Sequence, residues 1–221
     1  QTKEEQDKPM PLSELLIDIG ASSKQSAESA VSLGAQITFA GEGVAEFGDG
    51  YLTGKAMETR CVCAMLAQML CEDWEYDVDV VFTTSALTMT SGAANAAFAL
   101  KPDAALVLYS VQADDVRGGK SSCFKKGPVV SLSEQMAYYD LDLYNKCIQT
   151  VEENNLVCQK MERNTAKTES RSVQTSCQGV PVLALGMPCR YPYSISAMIA
   201  KEDLEHTRKL IFSLLKTIEE K

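Results

Sequence analysis

Every residue from Val180 to Leu185 is apolar, and Ala104–Tyr109 is nearly as uniform. A strand with one wet face alternates apolar and polar residues. A strand apolar throughout has both faces covered. These runs therefore predict a buried sheet with helices on either side, an α/β architecture in layers.

The rest of the chain supplies elements for that arrangement. Strands are predicted at Leu15–Ile19, Gln36–Ala40, Val78–Thr84, Ala104–Tyr109, Val129–Leu132, Leu156–Met161 and Val180–Leu185. Helices are predicted at Ser22–Leu33, Thr59–Cys71, Ser91–Leu100, Leu141–Glu153, Glu169–Cys177 and Glu202–Lys221. Ser22 or Ser23 can cap the first of these, and Gly34 can end it. Thr59–Cys71 is apolar most of the way round, which predicts burial. In the last helix Leu204, Ile211, Leu214, Leu215 and Ile218 form one stripe, with Glu202 and Asp203 favourably placed at the positive end of the helix dipole.

The chain has 221 residues and a formal charge of -9. That length suits one large α/β domain with a small appendage. The negative charge argues against nucleic acid and anionic membranes as partners. No apolar stretch reaches the ~20 residues of a membrane helix. The eight cysteines fit no small disulfide framework. They are expected to be reduced, buried small hydrophobes in a cytoplasmic protein. A metal site built from Cys61, Cys63 and Cys71 is disfavoured, because a helix turns Cys61 and Cys63 to different faces.

Several chemistries lack their residues. His206 is the single histidine and lies among charged residues of the last helix, where it reads as solvated. A serine–histidine triad is therefore implausible. No dinucleotide fingerprint, phosphate loop or nucleophile elbow occurs. Asp114 and Asp115 beside Arg117 read as a solvated loop. Glu58 with Arg60, and Glu169 with Arg171, read as surface pairs of small energetic value. The run PCRYPYS, residues 188–194, follows a buried strand, where sites in α/β sheets are commonly built. It is either a binding loop for an anionic or aromatic group or a proline-stiffened connector.

Seven ordered segments resemble the metallo-aminopeptidases that assemble into tetrahedral dodecamers, a family that includes glutamyl and deblocking aminopeptidases and is sometimes labelled cellulase or endoglucanase. LLIDIGASSKQSAESAVSLGAQITF carries Asp18, Gly20, Ala21 and Gly34 where the family has DIGA-S and a later glycine. GKAMETR resembles GKALDDR. VVFTTSALTMTSGAANAAFALKPDAALVL resembles a strand, QEEVGLRGA, a helix and a strand ending in Asp. KGPVV, LVCQ, KTES and GVPVLALGMPCRYPYS resemble a glycine–proline turn, a strand ending in Gln, GTDA, and GVP with P-x-RY-x-HS.

The resemblance implies a three-layer α/β/α zinc-peptidase-like fold. It also implies part of a small β-rich dimerisation domain at residues 1–52, then an α/β peptidase-like domain at 53–221 lacking its opening strands. It implies two zinc or cobalt ions in the family at large. The family's bridging Asp falls on Glu58, and the acid after it on Thr59. Its general base falls on Ala86, and its further ligands on Leu87, Tyr109 and Tyr193. Ala86 and Leu87 offer no lone pair, and phenols with pKa near ~10 are poor ligands at neutral pH. Zinc needs about three or four protein donors. The expectation is therefore no cofactor, no catalytic residue and no peptidase activity. Scaffold positions are retained, among them Lys55, Arg60, Gly92, Ala93, Gly127, Pro128, Gln159, Thr168, Arg190 and Tyr191. Glu58, Arg60, Tyr109, Glu169, Arg190 and Tyr193 are the candidates for a ligand pocket taking a peptide end or small polar metabolite. The expected role is a structural or regulatory subunit of a homo-oligomer, or of a hetero-oligomer with an active paralogue. The alternative is an active aminopeptidase with displaced ligands.

Overall fold

A computed structural model describes residues 10–40, 43–84 and 92–219. It divides into two compact units, residues 1–40 and 41–221.

In the first unit, a 3-10 turn at Leu12–Glu14 is followed by helix α1, Lys24–Ala30. Ser23 caps α1, accepting the Ser26 N–H at 3.1 Å while the Ser26 hydroxyl reaches back to Ser23. The expected strands at Leu15–Ile19 and Gln36–Ala40 do not form. Leu16 is 93% exposed and Phe39 73%. Apolar strand-forming residues form a strand only beside a pairing neighbour, and among the described residues of this unit no strand is formed.

The second unit begins with strands β1, Ala45–Phe47, and β2, Tyr51–Gly54. Helix α2, Met57–Met69, follows. Then come α3, Gly92–Leu100; β3, Ala105–Gln112; β4, Val129–Ser133; α4, Leu141–Glu153; β5, Gln159–Arg163; and α5, Ser170–Gln174. Strands β6, Val182–Cys189, and β7, Ala197–Ala200, precede the last helix α6, Lys201–Glu219. The main sheet has the order β3-β6-β4-β5. Strand β6 is buried at all its positions, as its composition predicts. It pairs in parallel with β3, Ala105 opposite Val182 through Gln112 opposite Cys189, and antiparallel with β4. Helices α2, α4 and α6 pack as one layer, and α3 with α5 as another, giving the expected three layers. A smaller sheet has the order β1-β2-β7, and none of its three strands is among those predicted from the sequence.

Three expectations change. Residues 78–84 pair with no described strand, although the Thr84 carbonyl accepts the Gly92 N–H at 3.3 Å. Helix α2 buries one stripe, Met57, Cys61, Val62, Met65 and Met69, and exposes the opposite face. Of the eight free cysteines, only Cys61, Cys147 and Cys189 are buried, while Cys71 and Cys177 are exposed. No described helix is long and apolar enough to cross a membrane.

Candidate functional site

Helix α2 starts after Ala56, which takes a left-handed conformation at φ 55°. That bend brings Glu58 into the first turn, beside the C-terminal part of β3. The Ser110 hydroxyl on β3 donates to the Glu58 carbonyl at 2.5 Å. The Glu58 carboxylate accepts the Tyr193 backbone N–H at 3.2 Å through Oε1. Its Oε2 is buried with no hydrogen-bond partner among the described residues. A buried carboxylate oxygen without a donor is unfavourable, so this atom marks a position suited to a cationic or hydrogen-bonding guest.

Tyr193 reaches this place through its backbone and not its ring. Tyr191 and Tyr193 both have positive φ, 54° and 63°, and the Tyr193 side chain is 77% exposed. Arg60 lies on the exposed face of α2 and donates to the Lys55 carbonyl at 3.4 Å.

Tyr109 is turned into a different, buried network. Its hydroxyl receives a hydrogen bond from the Asn164 amide. Burial of the phenol pushes its pKa well above the ordinary tyrosine range, and the nearby Glu134 charge pushes it further. Glu134 is 2% exposed and accepts the Tyr139 hydroxyl and the Thr168 N–H, each at 3.1 Å. Asn164, Glu134 and Tyr139 escaped the sequence reading, although polar residues straight after the apolar strand β4 were a signal.

Arg190 is held by Asp115 through two hydrogen bonds, 3.0 Å from Nε and 2.8 Å from Nη2, with its guanidinium 4.3 Å from the Phe124 ring centroid. The Arg190 guanidinium holds the Asp115 carboxyl below the usual range. Asp114 accepts the N–H groups of Ser121 and Ser122. The Asp114–Asp115 loop is thus an organised structure rather than a solvated one, and its fork occupies Arg190. Gln159 and Asp203 fasten the same region. The Gln159 amide bonds Cys123 and Gly127, and the Asp203 carboxylate accepts the N–H of Lys125 and of Gly127, each at 2.8 Å. Asp203 is fully buried, which raises its pKa despite those donors.

Glu169 stands apart, accepting the Thr83 hydroxyl at 2.6 Å. His206 is only half-exposed, and its Nδ1 is buried without a partner among the described residues. Ala86 and Leu87 lie outside the described residues. Of the six candidate pocket residues, the structure joins Glu58 to Tyr193 through the latter's backbone. Tyr109, Arg60, Arg190 and Glu169 each have other neighbours.

Comparison with known proteins fits this architecture. FrvX of Escherichia coli (strain K12) is 29% identical over 224 residues, covering 98% of this chain and 63% of FrvX. Aminopeptidase APDkam598 from the archaeon Desulfurococcus kamchatkensis superposes with a TM-score of 0.85 at 24% identity, over 99% of this chain and 65% of that one. The TET1 peptidase of Pyrococcus horikoshii, described as assembling into a tetrahedron or a large octahedral shell, gives 0.79 at 25% identity over 97% and 64%. The chain therefore spans under two thirds of the length of these relatives.

The sequence profile of the M42 glutamyl aminopeptidases matches residues 1–210. Aminopeptidases of that family are metal-dependent, which overturns the expectation of a chain without a cofactor. That expectation rested on donor side chains at matched positions, a narrower matter than what a protein of this family binds. The residues described do not themselves fit a two-ion centre. Among them no group of three or more His, Cys, Asp or Glu could hold a metal. Near Glu58, burial pushes the Cys61 and Cys189 thiols up to about 12, so both stay protonated at neutral pH. With the profile spanning nearly its whole length and the fold in agreement, the chain belongs to the M42 glutamyl aminopeptidase family.

Proposed function

We propose that this chain is a hydrolytically silent member of its family, acting as a structural or regulatory subunit of an oligomer. The observation that carries the reading is the setting of Tyr109. Where the family resemblance places an acidic side chain, a protonated phenol is packed and hydrogen-bonded to Asn164. A neutral, desolvated phenol with a raised pKa supplies neither a base nor an anionic ligand at neutral pH. Ala86, at the general-base position of the resemblance, has no proton acceptor in its side chain. The oligomer follows from the assembly described for the Pyrococcus horikoshii relative.

The test is aminopeptidase assay of the purified chain with zinc or cobalt added, alongside its Glu58→Ala variant. The expected result is no turnover above that variant. Sustained, metal-dependent release of N-terminal residues would restore the active aminopeptidase. Light scattering on the same sample is expected to show a mass above that of the 24.1 kDa chain.

A second reading has its own observation. The unpartnered Glu58 Oε2 suits an ammonium group, such as a peptide's amino terminus. Free-amino peptides would then raise the melting temperature where N-acetylated ones do not. Equal effects of both, or none, would reject this binding role.

A further inference from the structure

Glu134 directly follows strand β4 and is 2% exposed. Its Oε2 accepts the Tyr139 hydroxyl and the Thr168 N–H. Its Oε1 is buried and has no donor among the described residues. None of the ion pairs among the described residues includes it. A charge taken out of water and left without a counter-charge is costly.

Other oxygens lie close by. The Ser131 hydroxyl is buried and also lacks a hydrogen-bond partner among the described residues. It stands beside the Tyr109 phenol, on which the Glu134 charge acts and no basic side chain does. Thr168 and Ser170 add two more hydroxyls, 2.5 Å apart. The backbone closes over this group. The Asn164 N–H donates to the Ser133 carbonyl at 2.8 Å, and the Gln135 N–H to the Ala166 carbonyl at 3.3 Å.

Charge and donor type select the occupant. One carboxylate balances one positive charge, and a divalent ion would leave a surplus charge buried. Carboxylate and hydroxyl oxygens are hard donors, which suit an s-block cation better than a soft transition metal. A water molecule could satisfy Oε1 but would leave the charge uncompensated.

We propose that the unpartnered oxygens of Glu134 and Ser131 hold a sodium or potassium ion, buried between β4 and residues 164–170. The ion fastens that segment to the end of β4, and through Asn164 it braces Tyr109. It uses neither Glu58 nor Tyr193, and it stands whether or not the chain hydrolyses peptides.

The test is thermal unfolding of the whole chain in potassium chloride or sodium chloride, with choline chloride holding the ionic strength constant. A roughly tenfold rise in alkali cation above its dissociation constant is expected to raise the melting temperature by about 3–6 °C. Hydrogen exchange in residues 164–168 is expected to slow in the same solutions. A rise with one salt alone names the ion held. Glu134→Gln keeps an oxygen for Tyr139 and Thr168 but removes the charge, so the dependence is expected to vanish. Ser131→Ala leaves the charge and is expected to need about tenfold more cation for the same rise. Equal melting in choline and alkali chlorides would overturn the proposal and leave the carboxylate to a water or a proton. An alkali response undiminished in either variant would overturn it too, since it would mark general screening of surface charge. If Glu134→Gln fails to fold, Ser131→Ala against the wild type decides.

Discussion

Tyr109 on β3 sits directly opposite Gly186 on β6, and the phenol fills the space that a side chain at Gly186 would need. A β-carbon at 186 would stand 2.8 Å from the Tyr109 oxygen and 2.9 Å from its Cζ. The glycine and the tyrosine are thus one packing unit, and Asn164 fixes the far end of it.

Gly186→Ala is therefore expected to destabilise the chain by about 1–3 kcal/mol, the usual cost of overpacking a core. Adding Tyr109→Leu should recover part of the loss by vacating the space. Urea unfolding of both variants checks this. Full additivity would show that the two positions are not coupled.

Asp115 and Arg190 form the fork that organises the loop before Phe124. The native Asp115 carboxyl titrates below its unfolded value near ~3.9. A carboxyl depressed in the native state stabilises it fully above the unfolded pKa, and that contribution fades as pH falls through the native one. Asp115→Asn should thus be less stable than the wild type at pH 7, by roughly 1–3 kcal/mol for a half-exposed charged hydrogen bond. The gap should close in acid, as pH falls through the depressed native pKa of Asp115. Unfolding curves from pH 7 down to 2.5 measure it, and a gap independent of pH would refute the ionic origin.

Five of the eight thiols lie at two extremes, with Cys63, Cys123 and Cys158 between them. Burial pushes Cys61, Cys147 and Cys189 up to about 12, while Cys71 and Cys177 stand exposed. Iodoacetamide at pH 8 is expected to label Cys71 and Cys177 first, because the thiolate is the nucleophile and access is required. Peptide mass spectrometry should find the three buried thiols unmodified until denaturant is added.

Glu58 makes a further prediction. Replacing its carboxylate with an amide keeps an oxygen for the Tyr193 N–H and removes the charge from a group whose Oε2 has no donor. Glu58→Gln should therefore melt at or above the wild-type temperature, whereas Glu58→Ala loses the Tyr193 bond and should cost about 1 kcal/mol. A lower melting temperature for the glutamine variant would mean that the carboxylate is satisfied by a group bound in solution.

The uniform apolarity of 180–185 located the central strand, and the stripe of α6 was visible at its three- and four-residue steps. Both patterns report on one element and the surface it covers. Val78–Thr84 and Leu15–Ile19 have the same strand-forming composition, yet neither forms a strand among the described residues. Such composition states fitness for a neighbour and not the neighbour's presence. Resemblance placed Tyr109 at the strand end beside the site. Its contacts with Asn164 and Gly186 join residues more than fifty positions apart, a relationship that periodicity cannot carry. The occupation of Arg190 by Asp115 was hidden for the same reason.

Gly127 gives the most stringent prediction. It has φ 75°, a left-handed conformation that disfavours any side chain, and a β-carbon there would collide with the Val157 carbonyl. Its N–H is bound by Asp203 and its carbonyl by Gln159, so the backbone cannot swing away without breaking both bonds. Two independent penalties, strained backbone and steric overlap with another backbone, therefore act together. Gly127→Ala is expected to cost more than about 3 kcal/mol, well above the ~1 kcal/mol typical of single substitutions. Gln159→Ala should lose less, since it removes amide bonds without adding overlap. Chemical denaturation of the two variants side by side tests the ranking. If Gly127→Ala proved the milder change, the turn would be able to shift and take the β-carbon despite its bonds to Asp203 and Gln159.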